Sequence, residues 1–409
     1  MPASRKLLNR VLSGNLCAGC GACAGVFPDK LAMEMSPPGF LRPKQFAPLT
    51  EVEDDRLASF CPALGQTVAA QGRTDHTLWG PYLEMQTGWS TDPDLRFAGA
   101  SGGALSGLLL QLLDSGEVDA VVQITASADS PIANQTVIST DRAGVLAGAG
   151  SRYAPSAPLA QLGELLASGQ RYAFVGKPCD IVALRALAND KPEVAAAFPI
   201  MLSFFCAGVP SETGGHEVLA AIGAEPQDIT SFRYRGQGWP GRATATLLDG
   251  GERSMSYHDS WGGILSKHVQ HRCKICADGT GKAADIVCAD AWESDTAGYP
   301  VFDEAEGVSL IVSRTALGAR LLDHAVAAGR IRTEPFDVAQ LAAIQPGQRE
   351  RHRALLARLL ALRLSGRPVP RYQGLQLWRA ARQNPLSRNL RNFLGMLRRV
   401  VRQWISGRR

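Results

Sequence analysis

No stretch of this sequence is apolar for long enough to cross a bilayer, and the opening MPASRKLLNRVLSGN, although basic, lacks the continuous apolar core of a signal peptide. The expected setting is therefore cytoplasmic. Histidine is sparse and scattered: His258, His268 and His324 form no metal-ligand spacing with one another and read as surface or core residues. Nothing suggests large-scale disorder, since 45% hydrophobic and 20% charged residues over 409 positions is ordinary globular composition with room for more than one domain. Acids and lysines are nearly absent from one end. From Arg349 onward there are sixteen arginines, no lysine and a single acid, Glu350, so this tail carries +15 and the rest of the chain −10.

Cysteine, by contrast, is present in a pattern. Nine cysteines in a reducing compartment, some at two-residue gaps, point to metal ligands rather than a disulfide framework. The run LCAGCGACAG places Cys17, Cys20 and Cys23 at C-x-x-C-x-x-C spacing, and the next cysteine, Cys61, is followed by Pro62. Three close cysteines and a later Cys-Pro are the ligand pattern of four-iron clusters in bacterial ferredoxins. A structural zinc site is the alternative, but zinc favours two separated pairs. Gly19 and Gly21 supply the dihedrals a tight wrap needs. The insert Ala24 to Phe60 is long for a compact ferredoxin, and its acidic stretch EVEDD reads as a solvated face.

A second seed lies in HRCKICADGTGKAADIVCADAW, His271 to Trp292, where Cys273 and Cys276 can reach one metal centre from a single turn and Lys274 can offset thiolate charge. A cubane takes four thiolates. Cys179 and Cys206 sit at the ends of two apolar runs, RYAFVGKP and FPIMLSFF, that read as buried strands. If those strands are neighbours, both thiols emerge at one sheet edge, where open sheets place their sites. Cys288 is the rival ligand, although IVCADAW reads as a strand core in which a small buried cysteine is at home.

Between these seeds, strands and helices alternate, which predicts an α/β fold with a mostly parallel sheet. Ser101, Gly102 and Gly103 precede a helix, where free backbone N–H groups suit an anion or phosphate, although glycines there also serve as plain turns. Ser151 and Arg152 in GAGSRYAPSAP offer further anion-binding groups. From Ile229, period-two alternation with DGG between two runs predicts a β-hairpin insertion. Arg235 and Trp239, among glycines, suit either stacking on a flat ligand or packing of the turn.

The ordered series SGG, GSRYAP, FVGKPCD, FFCAG, FRYRGQGWPG, C-x-x-C and ADIVCADAW resembles the beta-subunit family of coenzyme F-420 hydrogenases and dehydrogenases. That family also contains 7-hydroxymethyl chlorophyll a reductase and ferredoxin-dependent divinyl chlorophyllide reductase. The resemblance implies an iron–sulfur flavoprotein with FAD and two [4Fe-4S] clusters, fed by ferredoxin or another one-electron donor. Cys17, Cys20, Cys23 and Cys61 would hold one cluster, and Cys179, Cys206, Cys273 and Cys276 the other. Ser101, Gly102, Gly103, Ser151, Arg152, Tyr153, Lys177, Arg235, Trp239 and Asp290 would line the flavin pocket. The implied organisation is a ferredoxin-like segment over 1–75, a flavin-binding part over 76–155, a second iron–sulfur part over 156–346 and a basic helical tail over 347–409. The implied activity is hydride transfer to an organic small-molecule substrate, a deazaflavin like coenzyme F-420 or a tetrapyrrole. The alternative is an electron-relay subunit without its own substrate.

The tail predicts a helix with an apolar stripe, Leu390, Phe393, Leu394, Leu397, Val400, Val401 and Trp404, flanked by arginines. It suits packing on the protein's own acidic body, or docking on an anionic inner-membrane surface or an acidic partner. Nucleic acid is not expected, because no recognisable nucleic-acid module accompanies the arginines.

Overall fold

The computed structural model describes residues 6–292, 301 and 303–405. Helices α1 (Lys6–Ser13) and α2 (Ala22–Val26) flank the first cysteine run, and a hairpin of β1 (Leu31–Ser36) and β2 (Phe40–Gln45) leads to α3 (Glu51–Phe60). Helix α3 begins with a capping box, Thr50 and Glu53 each accepting from the other's backbone N–H, and Cys61 is its C-cap. The acidic stretch is more than the solvated face expected from sequence. Asp54 is buried and accepts from Leu7 N at 2.9 Å and Leu8 N at 3.1 Å, satisfying donors at the start of α1 that have no partner within the helix. The insert is thus a folded unit that returns Cys61 toward the other three cysteines.

The central sheet is assembled from β3 (Glu84–Ser90), β4 (Ala120–Ala126), β5 (Asn134–Ser139), β6 (Tyr172–Gly176), β7 (Ile200–Phe204), β11 (Ile286–Asp290), β12 (Ser309–Ser313) and β13 (Ile331–Pro335). Between β7 and β11 the chain makes a separate antiparallel sheet of β8 (Ile229–Arg233), β9 (Arg242–Leu247) and β10 (Glu252–Ser256). The expected hairpin is its β9–β10 pair, closed at DGG, with β8 as a third strand that the sequence pattern did not separate.

The central strand order is β13-β3-β12-β11-β7-β6-β4-β5. The four strands β11, β7, β6 and β4 are parallel neighbours, and β3 points the same way, so five of the eight share one direction. The expected parallel core is present at the centre, while β5, β12 and β13 run against it.

Strands β6, β7 and β11 read as continuous apolar runs because both sheet faces are covered. Tyr172, Phe174, Met201 and Val287 face one core together with Ile181 and Leu184 of α5 (Pro178–Asp190). Ala173, Ile200, Leu202 and Ile286 face the other with Leu108 and Leu112 of α4 (Ala104–Asp114) and Leu321 of α6 (Ala316–Ala327). Each fully buried large side chain contributes about 1.5–3 kcal/mol by leaving water. Cys288 is the alternating β11 residue that packs into this second core.

The basic C-terminal region is helical but only partly a tail. Helix α7 (Pro346–Leu364) packs into a third core with Leu16, Cys17 and Ile275, and Gly366 with φ 69° follows its end before Pro368. Helix α8 (Leu386–Ile405) packs Met396 and Val400 into the same core, with Phe393 and Leu397 at its margin. Leu390, Leu394, Val401 and Trp404 stay exposed, so the stripe expected from sequence is divided between the body and solvent.

Candidate functional site

Parallel strands deliver their C-terminal ends to one edge, and the chemistry gathers there. Lys177 and Cys179 follow β6, Cys206 follows β7, and Asp290 ends β11, with β6 pairing β7 and β7 pairing β11 in parallel register. The glycine turn before α4 and the Ser151 loop close the side of a cleft of about 270 Å³. Ser101, Gly103, Ser151, Arg152, Tyr153, Lys177, Arg235 and Asp290 line it, and so does Cys206. Gly102 and Trp239 do not.

Gly102 shapes the turn from behind. Its φ is +75°, and a Cβ there would come within 2.6 Å of the Gly307 carbonyl oxygen, so glycine is required by the backbone and not only by a ligand. Trp239 is 3% exposed, stacks on Trp292 at 4.9 Å and donates from Nε1 to Asp290 Oδ1 at 3.1 Å. Asp290 also takes a two-pronged contact from Arg235, at 2.9 and 2.6 Å, and the Arg235 guanidinium lies over the Tyr257 and Trp292 rings. Burial alone would lower the Arg235 pKa, but Asp290 raises it well above the ordinary value. The result is a rigid, fully charged wall.

Arg152 differs from its sequence reading. Its guanidinium donates to Asn134 Oδ1 and to the carbonyls of Phe232, Pro131 and Ala133 at 2.7–2.9 Å, which ties the β5 entry to β8. It lines the cleft as a structural clamp whose principal donors already have acceptors. Lys177 is likewise engaged: its Nζ lies 2.8 Å from Asp180 Oδ2 and 2.7 Å from Ser156 Oγ. Burial would lower the Lys177 pKa, yet Asp180, Cys179 and Cys206 together raise it, so the ammonium is retained. Asp180 Oδ1 is buried without a hydrogen-bond partner among the described residues.

Within each cysteine set named from sequence, neighbouring thiols act on one another electrostatically. In the first, burial raises the Cys20 thiol pKa, and Asp180, Cys61 and Cys23 raise it further; burial and then Cys17 and Cys61 do the same for Cys23. Gly19 and Gly21 adopt φ of +80° and +85°, and a Cβ at Gly21 would meet Ala160 N at 2.7 Å, so the loop lies flat against its neighbour. In the second, burial pushes Cys206 up to about 12, with Cys273 the next cause and Cys276 contributing. Cys179 is raised by burial, by Asp180, by Cys206 and also by Cys20, so the two quartets are near neighbours. Cys288 stands apart: burial alone pushes its thiol to about 12, with no other cysteine acting on it. Among the described residues, no group of three or more His, Cys, Asp or Glu is placed to hold a metal ion as it stands.

Sequence reasoning passed over the groups between the quartets. Arg272, next to Cys273, is 3% exposed and donates to Pro62 O at 2.9 Å and Tyr372 Oη at 2.8 Å, tying the Cys61-Pro62 turn to the second quartet. Its charge acts on Cys17 and Cys61 on one side and on Cys276, Cys179 and Cys273 on the other. Gln270 Nε2 reaches Ala18 O at 3.3 Å and Cys273 Sγ at 3.5 Å, and Arg42 donates to Gln270 Oε1 at 3.0 Å. The only signal in the sequence was adjacency: Arg272 flanks the C-x-x-C and Asp180 follows Cys179.

The cysteine sets thus lie beside a polar cleft at the carboxyl edge of an open α/β sheet, where sheets of this kind place their sites. Residues 85–163 match the N-terminal part, and residues 169–339 the C-terminal part, of the family described as the beta subunit of coenzyme F420 hydrogenase/dehydrogenase. The chain belongs to this oxidoreductase family. It is 25% identical over 304 residues to one of the subunits of F(420)H(2) dehydrogenase from Methanosarcina mazei, covering 69% of this chain and 79% of that protein. It is also 25% identical over 252 residues to the beta chain of F420-dependent formate dehydrogenase 1 from Methanococcus maripaludis, covering 61% of each. Among solved structures, the F420-reducing [NiFe] hydrogenase complex from Methanosarcina barkeri contains a chain of the same fold, with TM-score 0.50, 20% identity and coverage of 72% of this chain and 95% of that one.

Proposed function

We propose that this chain passes electrons from a one-electron donor of the ferredoxin class through iron–sulfur clusters at its two cysteine quartets to FAD in the cleft, and on to an organic hydride acceptor. The observation that carries this reading is continuity: Gln270 spans from Ala18 O to Cys273 Sγ, Arg272 beside Cys273 donates to Pro62 O, and Cys206 of the second quartet lines the cleft. Burial is the chief cause that disfavours the thiolates, neighbouring thiols add to it, and bound iron would offset that cost. A flavin supplies the junction between single-electron and hydride chemistry. The chain's own residues hold the geometry. The glycine turn offers the backbone N–H groups of a helix start, Arg235 and Asp290 fix the aromatic wall, and Lys177 with Asp180 keeps a compensated charge between quartet and cleft.

Two substrate classes fit a hydride acceptor of this kind, a deazaflavin such as coenzyme F420 and a tetrapyrrole, and the names of the relatives favour the first. Turnover of coenzyme F420 by the isolated chain with reduced ferredoxin tests this. Reduction of clusters and flavin without reduction of F420 or of a chlorophyllide would instead leave the chain as an electron relay without its own substrate.

Gly102→Ala should empty the flavin site. The added Cβ meets backbone rather than a movable side chain, and the positive φ adds strain of about 1–3 kcal/mol. Full flavin content in purified, folded Gly102→Ala protein would move the site elsewhere.

The exposed half of the α8 stripe is proposed to dock on an anionic membrane surface. Leu390, Leu394, Val401 and Trp404 are 57%, 45%, 51% and 64% exposed, and Arg391, Arg398 and Arg402 border them on the helix. The protein should float with phosphatidylglycerol vesicles and not with phosphatidylcholine ones, and Leu394→Gln with Trp404→Gln should abolish flotation without unfolding. Among the described residues, no helix is long and apolar enough to cross a membrane. Retention of flotation by the double variant would refute the lipid assignment, as would binding to an acidic protein in place of vesicles.

A further inference from the structure

Arginines from the body and from the tail line two adjoining depressions, one of which reaches Cys61 of the first quartet. A depression of about 550 Å³ is lined by Cys61 together with Arg10, Arg185 and Arg371. A second depression shares Arg10 and Arg371 and continues to Arg363 and Arg367. Among the described residues, no Asp or Glu lines either of them. Arg185 is paired with Asp285 at 2.8 Å, and Arg10 donates to Val369 O at 3.1 Å, whereas Arg363 and Arg371 are exposed.

The basic rim is fixed to the thiol rather than merely near it. The short strand Arg371–Gln373 pairs in parallel with Gly65–Thr67, and Arg371 is the register partner of Gly65, just after Cys61 in the chain. A Cβ at Gly65 would fall 2.5 Å from Arg371 O, so the two strands are in closest contact there. Cys23 and Cys61 are partly exposed while Cys17 and Cys20 are buried, and of these Cys61 is the one that lines this opening, which makes it a short route from solvent to the quartet. A body of net charge −10 elsewhere would repel an acidic protein, so a local basic, acid-free face decides where such a protein can settle.

We propose that this depression is the docking face of a small acidic one-electron carrier protein of the ferredoxin class, which would give its electron to the cluster that the first quartet would hold, beside Cys61. The proposal rests on the reading of the first quartet as an iron–sulfur site. Each docking oxidises one reduced carrier by one electron, and two dockings supply the pair that a hydride acceptor takes up with a proton from solvent.

The test uses the full-length, cluster-loaded protein and an acidic [2Fe–2S] ferredoxin, with basic cytochrome c as the control. Binding of the ferredoxin should weaken steeply with salt, and Arg363→Glu with Arg371→Glu should weaken it by roughly tenfold or more. The same variant should keep wild-type iron content and wild-type reduction by dithionite, which needs no docking face. Wild-type ferredoxin affinity in the double variant would overturn the proposal, as would equal binding of cytochrome c. A wild-type protein without dithionite-reducible clusters would instead overturn the redox reading on which it rests.

Discussion

Cys20→Ala and Cys276→Ala should each halve the iron of the anaerobically purified protein, from about eight to about four per chain, by removing one cubane and sparing the other. The expectation follows from the separation of the quartets along the chain and their contact in space. Cys20 and Cys276 belong to loops built from different elements, one held by the glycine turn against Ala157 and Ala160 and the other by the turn after Gln270. Losing one thiol leaves three thiols around a gap but does not dismantle the neighbouring loop. Cys206→Ala should behave like Cys276→Ala. Cys288→Ala should retain all the iron, because Cys288 packs among Leu108, Ile286 and Ile311 and no other cysteine acts on it. Iron loss in Cys288→Ala with retention in Cys206→Ala would reassign the second quartet.

Asp290→Ala should cost about 3–5 kcal/mol of stability and empty the cleft, because it strands a buried guanidinium. Arg235 is 2% exposed, and Asp290 supplies its carboxylate partner while also accepting from Trp239. Without that carboxylate, the guanidinium must stay buried and uncompensated or pull the aromatic wall apart to reach water. Replacing both partners, Arg235→Met with Asp290→Leu, should recover most of the stability without recovering flavin, since the uncompensated charge is gone but the polar wall is too. Urea denaturation midpoints and bound flavin, measured on the same preparations, separate these effects. An Asp290→Ala protein as stable as wild type would show that water already reaches Arg235.

The parts that were legible in the sequence are those encoded locally. Apolar runs such as RYAFVG and FPIMLSFF announce strands buried on both faces, and the Ser101–Gly103 turn announces a helix start. The addition of β12, β3 and β13 beside β11, with only β3 sharing the direction of the parallel core, was not legible, because it is decided by packing between segments far apart in sequence. Charge roles were hidden for the same reason. Arg152 among small residues reads as an anion site, yet the fold surrounds it with carbonyl oxygens. Asp54 sits in an acidic run that reads as solvated, yet α1 presents its unpaired N–H groups to that one carboxylate. In α8 the apolar stripe was correct as a pattern, but only the packing against α7 decides which half of it remains exposed.

Iron, acid-labile sulfide, zinc and flavin analysis of the anaerobically purified chain tests the redox assignment most directly. The expected result is about eight irons and about eight sulfides per chain, with FAD released on denaturation and a visible spectrum that bleaches with dithionite. Colourless, fully folded protein carrying stoichiometric zinc at its cysteines would contradict it.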